Sequence, residues 1–113
     1  MDEAQVVQDQ VDAYNARDLE RFLSFYHPDV VMEDATGNVM AQGQEALRGA
    51  YGPMFAQSPD LHVEIPRRIH VGTWVIDEEE ASGLHAEGFP EEIHAAVLYQ
   101  VVDGKIARVR LLM

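Results

Sequence analysis

The sequence predicts an α+β domain in which three N-terminal helices pack on one antiparallel sheet. Three observations carry this. Apolar residues recur at helical spacing through most of the first half, they alternate with polar ones after Leu61, and Asp103-Gly104 marks a tight reversal between two long strands. Runs of helix followed by a meander of strands give helices layered on one sheet face.

Each element has a local cause. Val7, Val11 and Tyr14 fall at i, i+4 and i+7, which predicts helix 1 over about Ala4 to Ala16, with Asp2 as its cap. Asp18 can accept from the free amides of a second helix carrying Leu19, Phe22, Leu23 and Tyr26. Pro28 forces His27 out of helical angles and ends it. Val30, Met32 and Asp34 then share one face of a short strand that stops at Ala35-Thr36-Gly37-Asn38. Helix 3 covers about Gln44 to Gln57, with Leu47, Ala50, Tyr51, Met54 and Phe55 on one stripe. Gly49, Gly52 and Pro53 predict a kink or a division into two pieces.

Beyond Leu61 the period is two. Pro66 places the first strand of the second half at a sheet edge or at a bulge. Gly72 permits a reversal into Thr73 to Ile76, Ser82 to Pro90 reads as loop, and Glu92 to Val102 is a long strand returned by Lys105 to Leu112.

Composition bounds the function. The 113 residues, read as one domain over 1–113, carry 8 basic and 20 acidic side chains, a net charge of −12, and no cysteine. Thiol chemistry, disulfides and cysteine-based zinc sites are thereby excluded. The charge opposes nucleic acid and anionic membranes. No apolar run approaches the ~20 residues of a membrane span, and the acidic start is unlike a basic leader, so a cytoplasmic location is expected. No HxH, HExxH or carboxylate-rich loop is present, and neither a metal nor another cofactor is expected.

Several strings carry a resemblance. Tyr14-Asn15-Ala16-Arg17-Asp18-Leu19, His27-Pro28-Asp29-Val30-Val31-Met32-Glu33-Asp34, Gly43 and Asp103-Gly104-Lys105-Ile106 together resemble the nuclear transport factor 2-like superfamily, specifically its small SnoaL-like and ketosteroid-isomerase-like members. The resemblance implies a strongly curved sheet wrapped around the helices into a cone, the cystatin-like roll. It also implies an apolar pocket inside and a homodimer through the outer sheet face. Isomerases, dehydratases, cyclases, hydrolases and non-catalytic proteins share this fold, so the site must decide the function.

The resemblance makes Asp34 the candidate catalytic base, since isomerase-like members carry a proton-shuttling carboxylate at the end of this strand. Such a carboxylate needs an apolar cavity to raise its pKa. The plainer reading of Asp34, before Thr36-Gly37, is a solvated turn residue. Aligned on Asn15 to Asp18, the family's first-helix tyrosine falls at Gln10 and its protonated acid at about Val97 or Ala96. Both donors to an enolate are then missing, and authentic steroid isomerase activity is not expected. Tyr14, Met32, Tyr51, Met54, Phe55, Val97, Tyr99 and Met113 are the candidate pocket residues for a small apolar or neutral ligand. The tyrosines read most simply as core residues, with Tyr51 and Tyr99 the preferred ones to reach the cavity.

Two further groups have plain readings. His94 is expected on the outer sheet face, although an acid-base role is conceivable from its residue type. The run Asp77-Glu78-Glu79-Glu80 cannot converge on one ion, because alternate members of a strand face opposite ways. It is expected to be a solvated strand end neutralised by Arg67-Arg68 and by Arg108 with Arg110. Two functions from different classes follow: an isomerase-, lyase- or cyclase-type enzyme using Asp34, or a non-catalytic ligand-binding or dimerisation module. In a variant of the second, aromatic residues fill the cone and only the outer face acts, through Trp74, Ile76 and Leu98.

Overall fold

The computed structural model describes residues 2–113. Its elements are α1 (Glu3–Asn15), α2 (Leu19–Ser24), β1 (Tyr26–Glu33), β2 (Val39–Gln42), α3 (Gln44–Gln57), β3 (His62–Val71), β4 (Trp74–Ser82), β5 (Ile93–Val102) and β6 (Lys105–Leu112). The six strands form one curled sheet in the order β2-β1-β6-β5-β4-β3. The meander is antiparallel as expected, but β1 runs parallel to β6. That pair joins the first half of the chain to the last, and the sequence spacing of neighbouring strands carries no sign of it. Strand β2 is also absent from the sequence reading, since its four residues alternate too briefly to register.

The helix starts follow their caps. The Asp2 carboxylate accepts from the amides of Ala4 and Gln5 at 2.7 and 3.2 Å, and that of Asp18 accepts from Arg21 at 3.2 Å. Between α1 and α2 the chain turns through Arg17 at φ 53°. The Asn15 side chain accepts from the amide of Val63 at 2.8 Å and donates to its carbonyl at 3.1 Å. Arg17 donates to the carbonyl of Leu61 at 2.9 Å, so this corner is tied to the start of β3. Helix α3 is a single element with Pro53 inside it, and the expected division into two does not occur. The reason lies in packing: Leu47 and Phe55 are buried at either end, and Gly52 lies against Leu19, so both halves are held on one face.

Pro66 satisfies both readings at once. Strand β3 is the sheet edge, and its register against β4 shifts between Glu64 and Arg67. At the other end of the meander, Asp103 and Gly104 take φ of 52° and 75°, the left-handed pair that a two-residue hairpin requires.

The core lies between the helices and the concave sheet face. Val6, Val7, Phe22, Leu47, Val75 and Ile106 are essentially inaccessible there. On β5 the inward set is Ala95, Val97, Tyr99 and Val101, while His94 is exposed and its Nε2 lies 2.7 Å from Glu78 Oε2, which accepts. Trp74, Ile76 and Leu98 are half-buried on the opposite, convex face. No helix among the described residues is long and apolar enough to cross a membrane.

Candidate functional site

Between α1, α3 and the concave sheet face lies an apolar cavity of about 240 Å³. Its volume falls below the ~300–1,000 Å³ of sites for drug-sized molecules. Of the residues expected at a pocket, Tyr14, Met32, Tyr51, Met54, Val97, Tyr99 and Met113 line it. Phe55 does not. It packs against Tyr14, Phe22 and Tyr51 with ring centroids 5.4 to 5.9 Å away, so it stands behind the wall and fixes those rings.

Asp34 is not at the cavity. Strand β1 ends at Glu33, and Asp34 opens the turn to β2, half-buried and outside the cavity lining. Its carboxylate accepts from the amide and hydroxyl of Thr36 at 2.9 and 2.8 Å and from the amide of Asn38 at 2.9 Å. Those donors, the Thr36 hydroxyl foremost, hold its pKa below the ordinary carboxylate value. The expectation of a base at Asp34 therefore gives way to the turn reading. The alternation of Val30, Met32 and Asp34 breaks because the register of β1 against β2 shifts at Met32/Glu33.

The carboxylate in the cavity is Glu79. It carries the only charge among the described lining residues. Burial pushes its pKa up from 4.5 to about 7, opposed by a hydrogen bond from Tyr99, whose hydroxyl donates to Glu79 Oε2 at 2.7 Å. That proton is directed by what lies behind it. Tyr26 donates to Gln10 Oε1 at 2.9 Å, and the Gln10 amide donates to the Tyr99 oxygen at 3.4 Å, leaving the Tyr99 proton for Glu79. A chain from β1 through α1 and β5 to β4 thus orients one carboxylate oxygen and leaves Oε1 without a hydrogen-bond partner among the described residues. Tyr14 and Tyr51 also line the wall, the Tyr51 hydroxyl lying 3.9 Å from Met32 Sδ. Burial foremost raises the pKa of both, so they are neutral donors at physiological pH.

The acidic run is therefore two structures. Asp77 and Glu79 face inward with Val75, while Glu78 and Glu80 face outward. Asp77 is fully buried and bound at both oxygens by Arg68, Nε to Oδ1 at 2.7 Å and Nη2 to Oδ2 at 2.9 Å. Outside, Arg67 pairs with Glu78 at 3.3 Å. Arg108 and Arg110 lie 3.4 and 3.5 Å from Glu33 and do not serve the run. The expectation of a solvated strand end holds for the outward half alone. The inward half could have been found by continuing the Val75 face through positions 77, 79 and 81. Glu78, Glu80 and His94 bring metal-type donor atoms within 4.8 Å of one another, but on the surface and away from the cavity.

A helix-roofed, cone-like sheet enclosing an apolar chamber with a single carboxylate is a fold of the ketosteroid-isomerase-like kind. The chain belongs to the SnoaL-like domain family, whose profile matches residues 7–109. No curated protein matches it. A cystatin-fold protein from Novosphingobium aromaticivorans is 26% identical with a TM-score of 0.88, over 100% of this chain and 99% of that one. A Catenulispora acidiphila protein with a ketosteroid isomerase-like fold, solved with trimethylamine, is 19% identical (TM-score 0.73, coverage 96% and 84%). A Sinorhizobium meliloti protein proposed to be a polyketide cyclase is 20% identical (TM-score 0.76, coverage 98% and 99%). At those identities the last two show the shared fold and nothing of the ligand.

Proposed function

We propose that this protein binds a small, largely apolar molecule in the cavity and that Glu79 is the group that exchanges a proton with it. The observation that carries this reading is a carboxyl group set in an apolar chamber with one oxygen held by Tyr99 and the other without a hydrogen bond among the described residues, where burial pushes its pKa up to about 7. A general base works best when its pKa lies near the working pH. Against a carbonyl compound, Glu79 would take a proton from the adjacent carbon, and a neutral Tyr14 or Tyr51 hydroxyl would meet the developing oxygen charge. The lone negative charge and the net −12 disfavour an anionic substrate.

Exchange of carbon-bound hydrogen in D2O tests this without knowledge of the natural substrate. Small cyclic ketones are incubated with the protein and followed by proton NMR. Acceleration that survives Asp34→Asn and disappears in Glu79→Gln supports the reading, and equal rates for the wild type and Glu79→Gln overturn it. A second reading, ligand binding without catalysis, is favoured by Gln10 and Val97 standing where the resemblance expects the two donors to an enolate. Saturable binding with no exchange for any ketone selects it.

A further inference from the structure

Among the described residues, Glu79 has no salt-bridge partner. The cation nearest in the fold, Arg68, is already spent: both of its inward-facing nitrogens hold Asp77, and its third, Nη1, donates to Gln8 at 2.8 Å. When Glu79 ionises, Asp77, Glu79 and Arg68 leave one negative charge uncompensated at the cavity wall. The other groups packed around it are neutral: Gln10 and Tyr14 from α1, Tyr26 from β1, Tyr51 from α3 and Tyr99 from β5. Buried charges are ordinarily paired, and an unpaired one in a ligand chamber invites a partner from outside.

The rest of the wall suits a cation with a hydrocarbon body. Tyr14, Phe22, Tyr26, Tyr51 and Tyr99 line the chamber, and Tyr14 meets Tyr51 edge-on, at 73° with centroids 6.4 Å apart, so the rings do not all turn the same way. Aromatic faces attract organic cations, most strongly where water is excluded. A metal ion is poorly served, because the chamber offers one carboxylate and apolar surface in place of several oxygen ligands.

We propose that the cavity selects an amine, with the ligand's ammonium group paired to Glu79 and its alkyl groups held among the tyrosine rings. The proposal rests on the cavity being the ligand site, which both functional readings share. In this complex Glu79 gives up its own proton on binding and serves as the anchor.

Three probes of nearly equal shape test it by titration calorimetry and by the shifts of tyrosine and methionine signals: choline, its uncharged counterpart 3,3-dimethylbutan-1-ol, and the anion 3,3-dimethylbutanoate. At pH 8 choline is expected to bind the wild type about tenfold or more tightly than the alcohol, and the anion most weakly. At pH 7 choline should release about half a proton, read from the dependence of the heat on buffer ionisation. Glu79→Gln, which removes no volume, should abolish the preference for choline while keeping the alcohol's affinity. Tyr51→Leu should narrow the preference several-fold. An alcohol that binds the wild type as tightly as choline overturns the ammonium assignment and leaves the cavity reading intact, as does a preference that persists in Glu79→Gln. Failure of all three probes to bind overturns both.

Discussion

Replacing Glu79 by Gln isolates the cost of holding a carboxyl group in this cavity. The group titrates at 4.5 in ordinary surroundings and at about 7 here, with burial the main cause. Each pH unit of displacement corresponds to about 1.4 kcal/mol between the protonation states. The ionised form therefore costs the fold about 3 kcal/mol. The pH window follows from the direction of the displacement. Below pH 4.5 Glu79 is protonated whether the chain is folded or not, and nothing is lost. Between 4.5 and 7 the unfolded chain gives up its proton first, so the wild type loses stability progressively, and above 7 the whole cost is present. Gln carries no such titration. The stability of Glu79→Gln relative to the wild type should climb from pH 4.5 to 7 and level off near 3 kcal/mol. Urea unfolding at stepped pH measures this. With a slope of ~1.5 kcal/mol per molar urea, the midpoints should separate by about 2 M at pH 8. Every other carboxylate is common to both proteins and cancels in the difference. A difference that stays flat from pH 4.5 to 8.5 would refute the argument that the cavity burdens this group.

Three other substitutions probe the same architecture. Tyr99→Phe removes the hydrogen bond that favours the ionised form, so the Glu79 titration should move above 7 when followed by carboxyl carbon NMR. Asp77→Ala strands Arg68 beside a fully buried vacancy and should cost about 3 kcal/mol or more in denaturant unfolding at neutral pH. At Gly83, with φ of 74°, a Cβ would lie 2.4 Å from the Asp60 carbonyl oxygen, whereas at Gly88, with φ of 84°, it would meet nothing within 4 Å. Gly83→Ala should therefore lower the melting temperature well beyond Gly88→Ala, which carries only the left-handed backbone cost of about 1 kcal/mol.

Sequence by itself determined what is set within a few residues. Asp2 and Asp18 announce helix starts because their carboxylates reach amides two or three positions away. Asp103-Gly104 fixes a hairpin through its own dihedral angles. The apolar stripes of α1 and α3 and the alternation along β1 and β5 place Tyr14, Met32, Tyr51, Met54, Val97 and Tyr99 on the walls of the chamber. Tertiary structure alone decided which carboxylate stands among them. Asp34 and Glu79 are each acidic residues near a strand end, and composition does not separate them. A register shift and the Thr36 and Asn38 donors hold Asp34 in the turn outside the cavity, while strand order places β4 between β3 and β5, where Arg68 occupies Asp77 and Tyr99 meets Glu79. Acidity at pH 7 is a property of surroundings assembled from α1, β1, β4 and β5, distant in the chain, and no stretch of sequence contains them together.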